Sequence, residues 1–214
     1  MAVIEYDARY FSPRDVLECG QIFRFVPFAE GYKVFSADKA CYVYTRGDAT
    51  FVECDDGDYF YNFFDLGRDY AAITERAKSF GVPLLTRGAS LGQGLRLLNQ
   101  NAEEMIYSFI ISQNNNIPRI KGIIERICAA LGEERTFMGE KYHAFPTSAA
   151  LAGAGAEFFK LIGAGYRDGY LAATSARIAA EGIDELYGLS DDDLKKALLT
   201  YTGVGPKVAD CISL

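Results

Sequence analysis

The chain is predicted to be α+β, an antiparallel sheet followed by an all-helical part, on three observations. Short aromatic and β-branched segments crowd the first eighty-odd residues. Apolar residues at steps of three and four take over from about Arg68. A glycine-bracketed turn between two helix signals closes the chain. Strands first and helices after read as segregated α+β, with a strand-rich domain over 1–84 and a helical domain over 85–214.

The predicted strands are FRFVPF (23–28), GYKVFSA (31–37), ACYVYTR (40–46), TFVEC (50–54) and DYFYNFF (58–64), separated by Gly, Asp and Lys turn signals. Most of the 14 Tyr and 15 Phe fall in this part and would cover the sheet. In the second part Ile117, Ile120, Ile124, Ile127 and Leu131 form one apolar stripe. Asn116 is its N-cap, Pro118 stands in the first turn, and Gly132 follows its end. Met105, Ile106, Phe109 and Ile110 mark an earlier helix face; Leu171, Thr174 and Ile178 mark a later one, closed by Gly182.

At 214 residues the chain is long enough for a proper core. No apolar run approaches the roughly 20 residues that span a bilayer, and the N-terminus lacks the features of a signal peptide. A cytoplasmic protein is expected, nucleoid-associated if bacterial. The five cysteines are odd in number and include no C-x-x-C pair, which argues against a disulfide framework and a zinc ribbon. A net charge of −7 weighs against a nucleic-acid partner. The acidic residues do concentrate, at Glu53, Asp55, Asp56 and Asp58 and at Asp191–Asp193, which leaves room for a locally basic face.

The segment 190–214 carries the chemistry. Ser190 is a predicted N-cap with Asp193 three residues on, and DDDLKKALL follows as a helix. Then comes the turn Thr202-Gly203-Val204-Gly205, with Pro206 at the first position of a second helix. Two glycines allow positive φ and a close approach of backbone to a ligand. Unpaired N–H groups at Gly203, Gly205 and Val208 can take a phosphate without a large basic patch. Lys207 at a helix start stands against the dipole, which disfavours its ammonium, as would partial burial. That suits an imine-forming nucleophile; the plain alternative is a lysine facing phosphate or solvent. Cys211, four residues on, shares its face. Asp210 reads as a local helix contact of Lys207.

T-G-V-G-P-K-V-A-D-C-I is similar to the helix-hairpin-helix signature of the 8-oxoguanine DNA glycosylases. The resemblance covers nearly the whole chain, because three further segments match. S-Q-N-N-N-I-P-R-I (112–120) resembles the segment that fills the gap left by a flipped base, where Asn114 and Arg119 would hydrogen-bond the orphaned cytosine. A polar turn capped by Asn116 explains Asn115 and Asn116 equally well. G-A-G-Y-R-D-G-Y (163–170) resembles the wedge: Tyr166 would intercalate and Arg167 would reach the opposite cytosine. Extruding a base costs a few kcal/mol, which an inserted ring partly replaces. L-E-C-G-Q-I-F-R-F (17–25) resembles the segment whose glycine carbonyl, here Gly20, accepts the hydrogen that N7 carries in the oxidised base alone. His143 reads as structural.

The resemblance implies a bifunctional glycosylase/AP lyase acting without a cofactor, as a monomer, on double-stranded DNA with 8-oxoguanine opposite cytosine. Lys207 would attack C1′, the base would leave, and a Schiff base would permit β-elimination of the 3′ phosphate. An ion held by the carbonyls of Leu199, Tyr201 and Val204 follows by the same analogy. The family's assisting aspartate lies after the second hairpin helix, beyond Leu214. Residues 1–214 are therefore expected to bind DNA weakly and release little or no base. The alternatives are a non-catalytic helix-hairpin-helix DNA-binding module, a glycosylase for another damaged base, and a protein-interaction domain.

Overall fold

Alternating burial along the early segments builds one antiparallel sheet. In the computed structural model, which describes residues 1–214, its strands are β1 (Ala2–Asp7), β2 (Phe25–Phe28), β3 (Gly31–Ser36), β4 (Lys39–Arg46) and β5 (Ala49–Cys54). Their order is β1-β5-β4-β3-β2. In β5 the alternate residues Thr50, Val52 and Cys54 are buried and their neighbours are not. Central β4 is buried from Ala40 to Tyr44, so both its faces are covered. The chain divides into two compact units, 1–35 with 39–99, and 36–38 with 100–214.

Two features of the first unit differ from the sequence reading. β1 was not foreseen; it pairs with β5 in the register Ala2↔Cys54 to Asp7↔Ala49. DYFYNFF, predicted as a strand, is helical: it lies in α2 (Gly57–Phe63) and its C-cap Phe64. The Asp56 carboxylate accepts the Tyr59 N–H at 3.0 Å, which caps the helix start. Steps of three and four then set Phe60, Phe63 and Phe64 together in the core with Phe11, Val43 and Val52. Aromatic β-propensity lost to a cap and a helical period. α1 (Pro13–Glu18), α3 (Tyr70–Ser79) and α4 (Pro83–Leu91) complete the helices of this unit.

The unit ends at Asn99, later than the predicted boundary at 84, and Arg96 explains the difference. It is fully buried. Its guanidinium donates to the carbonyls of Phe64 at 2.8 Å, Tyr10 at 2.9 Å and Arg68 at 3.2 Å, and to that of Asp65. It also lies 4.1 Å from the ring centre of Tyr70. Leu98 joins the core beside it.

The second unit is helical: α5 (Ala102–Ser112), α6 (Ile117–Leu131), α7 (Ser148–Leu161), α8 (Asp168–Glu181), α9 (Asp191–Leu198) and α10 (Pro206–Ile212). Asn116 caps α6 as predicted, its side chain accepting the Arg119 N–H at 3.0 Å. Ile120, Ile124 and Ile127 of the stripe are buried, together with Ile123. Ile117 is not; it lies in the first turn, 48% exposed. An unforeseen hairpin, β6 (Glu134–Phe137) and β7 (Glu140–His143), follows α6. Met138 and Gly139 at its tip both have positive φ, +48° and +77°, the handedness that matches the twist of paired strands. His143 pairs with Glu134 in its register.

Replacing Arg96 by Ala takes the donor from four main-chain carbonyls at once, one of them buried. The folding stability should drop by about 3 kcal/mol or more, read as a lower urea midpoint at unchanged slope.

Candidate nucleic-acid interface and lysine hairpin

Ser190 starts the hairpin as predicted. Its hydroxyl accepts the Asp193 N–H at 3.3 Å and donates to the Asp193 carboxylate at 2.8 Å. Lys196 at 2.9 Å holds that carboxyl below the usual range, with the Ser190 hydroxyl adding to the effect. After α9 the chain turns tightly, and the Val204 N–H bonds the Tyr201 carbonyl at 3.0 Å. Gly203 has φ +87°. A Cβ there would stand 2.7 Å from Tyr170 Cβ, so glycine is required twice over. Gly205 differs from expectation: its φ of −90° is open to any residue, and a Cβ would meet nothing within 4 Å.

Pro206 opens α10, and the first amide to bond back is that of Ala209, to Gly205 O at 2.9 Å. The N–H groups of Gly203, Gly205 and Val208 find no main-chain acceptor, as a phosphate-gripping turn needs. The Val208 and Ala209 side chains are buried and fix the helix. The carbonyls of Leu199 and Val204 accept no main-chain bond, whereas that of Tyr201 takes the Val204 N–H. Three neutral oxygens have the hardness that suits an oxygen-bound cation.

Lys207 is exposed, where the sequence reading had allowed for partial burial. It makes no ion pair. Asp210, expected to contact it, instead binds Lys195 of α9 at 2.5 Å. A carboxylate reached across the hairpin leaves the Lys207 amine unclaimed. Cys211 on the same helix face is half-buried.

Two loops of this unit carry the remaining candidates. Asn114 is exposed with φ +45°, a left-handed conformation that Asn tolerates. Its neighbour Asn115 is used locally, donating to Ile111 O at 3.0 Å. Arg119 is exposed and spends one nitrogen on Gly163 O at 3.1 Å. Tyr166 is 54% exposed, its hydroxyl 3.3 Å from Gln113 O and its ring 4.3 Å from the Arg167 guanidinium carbon. Arg167, which the resemblance assigns to the opposite cytosine, is turned inward in this structure. It is 1% exposed and donates to Gln113 O at 3.0 Å, Ala164 O at 3.0 Å and Asn114 O at 3.1 Å. A guanidinium so occupied braces the two loops.

Gly20 belongs to the first unit. It has φ +93°, and its carbonyl accepts no hydrogen bond within the chain. The Gln21 amide secures this turn, donating to Arg96 O at 2.8 Å and accepting the Leu98 N–H at 3.0 Å.

Sequence reasoning missed the residues that hold the loops and hairpin together. Gln113, the α5 C-cap, donates to Gly203 O at 2.7 Å. Thr174 donates to Thr202 O at 2.8 Å, and Arg126 donates to Ile162 O at 2.9 Å. The one available signal was a glutamine placed between a long apolar helix and an Asn run.

The family described as "8-oxoguanine DNA glycosylase, N-terminal domain" matches residues 3–106. The N-glycosylase/DNA lyase of Saccharomyces cerevisiae is 36% identical over 136 residues, 57% of this chain and 36% of that protein. The probable N-glycosylase/DNA lyase of Methanothermobacter thermautotrophicus is 37% identical over 173 residues, 71% of this chain and 53% of that protein. The chain thus spans between a third and about half of these curated relatives. The solved 8-oxoguanine glycosylase/lyase of Clostridium acetobutylicum matches in its apo form with a TM-score of 0.89 at 32% identity, covering 98% of this chain and 78% of that one. Its complex with double-stranded DNA containing cytosine opposite 8-oxoG matches at 0.88, again at 32% identity, covering 99% and 77%.

The two glycines of the turn should separate on substitution. Gly203→Ala combines positive φ with a clash on Tyr170 and should cost about 2 kcal/mol or more. Gly205→Ala should cost well under half of that, and paired thermal melts compare them.

Proposed function

This chain belongs to the 8-oxoguanine DNA glycosylase family, and we propose that it carries the Lys207 nucleophile of a glycosylase/AP lyase. Its substrate is double-stranded DNA carrying 8-oxoguanine opposite cytosine. The observation that carries this reading is the unclaimed amine of Lys207 at the start of α10, behind a turn whose amides are unpaired. The damaged nucleotide flips out, and the Lys207 amine attacks C1′ as the base leaves with the bonding pair. The opened sugar and the lysine form a Schiff base, and loss of a C2′ proton expels the 3′ phosphate.

Each remaining role has a support in the geometry. Gly20 offers an unused carbonyl for the N7 hydrogen of the oxidised base, and unmodified guanine would leave that acceptor facing a bare nitrogen. Cys211, half-buried on the lysine's helix face, would contact the lesion base. Asn114 and Arg119 are exposed and planar, able to hydrogen-bond the orphaned cytosine. Tyr166 is the wedge, stiffened by the guanidinium behind it. Arg167 serves this reading by holding the Asn114 and Tyr166 loops to each other. The amides of Gly203, Gly205 and Val208 take the phosphate, and an oxygen-bound cation at Leu199, Tyr201 and Val204 would stiffen that turn.

A second reading, a non-catalytic helix-hairpin-helix DNA-binding module, is favoured by the exposure of Lys207. Borohydride trapping separates the two. The 214-residue chain should form a covalent adduct with a preformed abasic-site duplex, and Lys207→Ala should abolish it. An adduct that survives the substitution sinks the nucleophile assignment, and DNA binding without any adduct promotes the module. Base release from an 8-oxoguanine:cytosine duplex, set against other lesions, tests the substrate.

Asn114→Ala and Arg119→Ala should each lower the ratio of trapping rates with cytosine against adenine opposite the abasic site. A loss of about 1–3 kcal/mol of discrimination is expected, the worth of planar base contacts, with thermal stability little changed in Arg119→Ala and somewhat lowered in Asn114→Ala by the positive φ there.

A further inference from the structure

We propose that Gln113 is a positioning residue that couples reading of the base opposite the lesion to the placement of Lys207; this rests on the lysine reading above. Its main-chain carbonyl accepts from Arg167 Nε at 3.0 Å and from the Tyr166 hydroxyl at 3.3 Å. Its side-chain amide donates to Gly203 O at 2.7 Å and to Ile110 O at 3.1 Å. Asn114, exposed and left-handed, follows it directly. One residue therefore holds the wedge turn by its main chain and the lysine hairpin by its side chain.

The path from Gly203 to Lys207 has little slack. Gly203 is wedged against Tyr170, Val204 is buried, and Pro206 has a fixed φ. Val208 and Ala209, buried beyond the lysine, set the helix orientation. A shift of Asn114 on meeting the orphaned base moves the Gln113 backbone, and the amide passes that shift to Gly203. Both amide hydrogens face carbonyl oxygens, so an amide fits where an isosteric carboxylate would set acceptor against acceptor. Gln113 is thus required for its hydrogen bonds, beyond its volume.

The test uses borohydride trapping on abasic-site duplexes with cytosine or adenine opposite, for the 214-residue chain and the variants Gln113→Ala and Gln113→Glu. The cytosine-to-adenine ratio of rates should fall about three- to tenfold in Gln113→Ala, the scale of one neutral hydrogen bond. It should fall at least as far in Gln113→Glu. A glutamine that only supports the fold would slow both duplexes by the same factor, and that result, or an unchanged ratio, overturns the proposal. If the unsubstituted chain traps neither duplex, the lysine reading fails by itself. Amide hydrogen exchange then decides the coupling, on duplexes with a tetrahydrofuran abasic site opposite cytosine or adenine. Protection over residues 203–209 should differ between the two duplexes, and the difference should vanish in Gln113→Ala. A difference that persists in the variant overturns the inference.

Discussion

A buried guanidinium must find acceptors for its hydrogens or unfold its surroundings, and in the helical unit Arg167 meets that demand with main-chain carbonyls. The carbonyls come from Gln113, Asn114 and Ala164, so satisfying the charge fixes the course of two loops at once. The exposed side chains on those loops, Asn114 and Tyr166, inherit their positions from it. The same solution recurs at Arg96, whose fork gathers four carbonyls of the sheet-bearing unit. In both units an arginine organises irregular chain that no ladder of strands or helix could hold.

The hairpin adds a second kind of constraint. Gly203 must be glycine for its φ and for the ring of Tyr170 beside it, while Gly205 has neither demand. The G-x-G pattern therefore overstates its own symmetry: one glycine makes the turn and the other is simply a helix N-cap. Lys195 and Asp210 then tie α9 to α10 across that turn. This pair draws away the carboxylate nearest Lys207 in sequence, which is why the lysine stands without a partner.

Local signals were legible wherever the deciding chemistry lies within a few residues. The caps at Asn116 and Ser190, the stripe of α6 and Pro206 at a helix start all depend on neighbours three or four positions away. The α+β order was legible for the same reason. The misreadings have distant or competing causes. DYFYNFF has strand composition, but Asp56 before it and the core packing of its rings make it a helix. Arg167 and Gln113 take their roles from loops some fifty and ninety residues away, a distance over which one sequence carries no pattern. The small β6–β7 hairpin turns on Met138 accepting a left-handed φ, which its residue type does not advertise.

The unpaired amides of the hairpin have a thermodynamic corollary in a protein of net charge −7. Lysines and arginines that neutralise DNA phosphates release condensed counterions, and affinity then falls steeply as salt is added. Main-chain dipoles grip a phosphate without displacing a full charge. A duplex held chiefly by Gly203, Gly205 and Val208 would give up few ions, so its affinity would vary gently with ionic strength. An acidic chain would then be no handicap, because such a hold on DNA would draw on backbone orientation more than on charge.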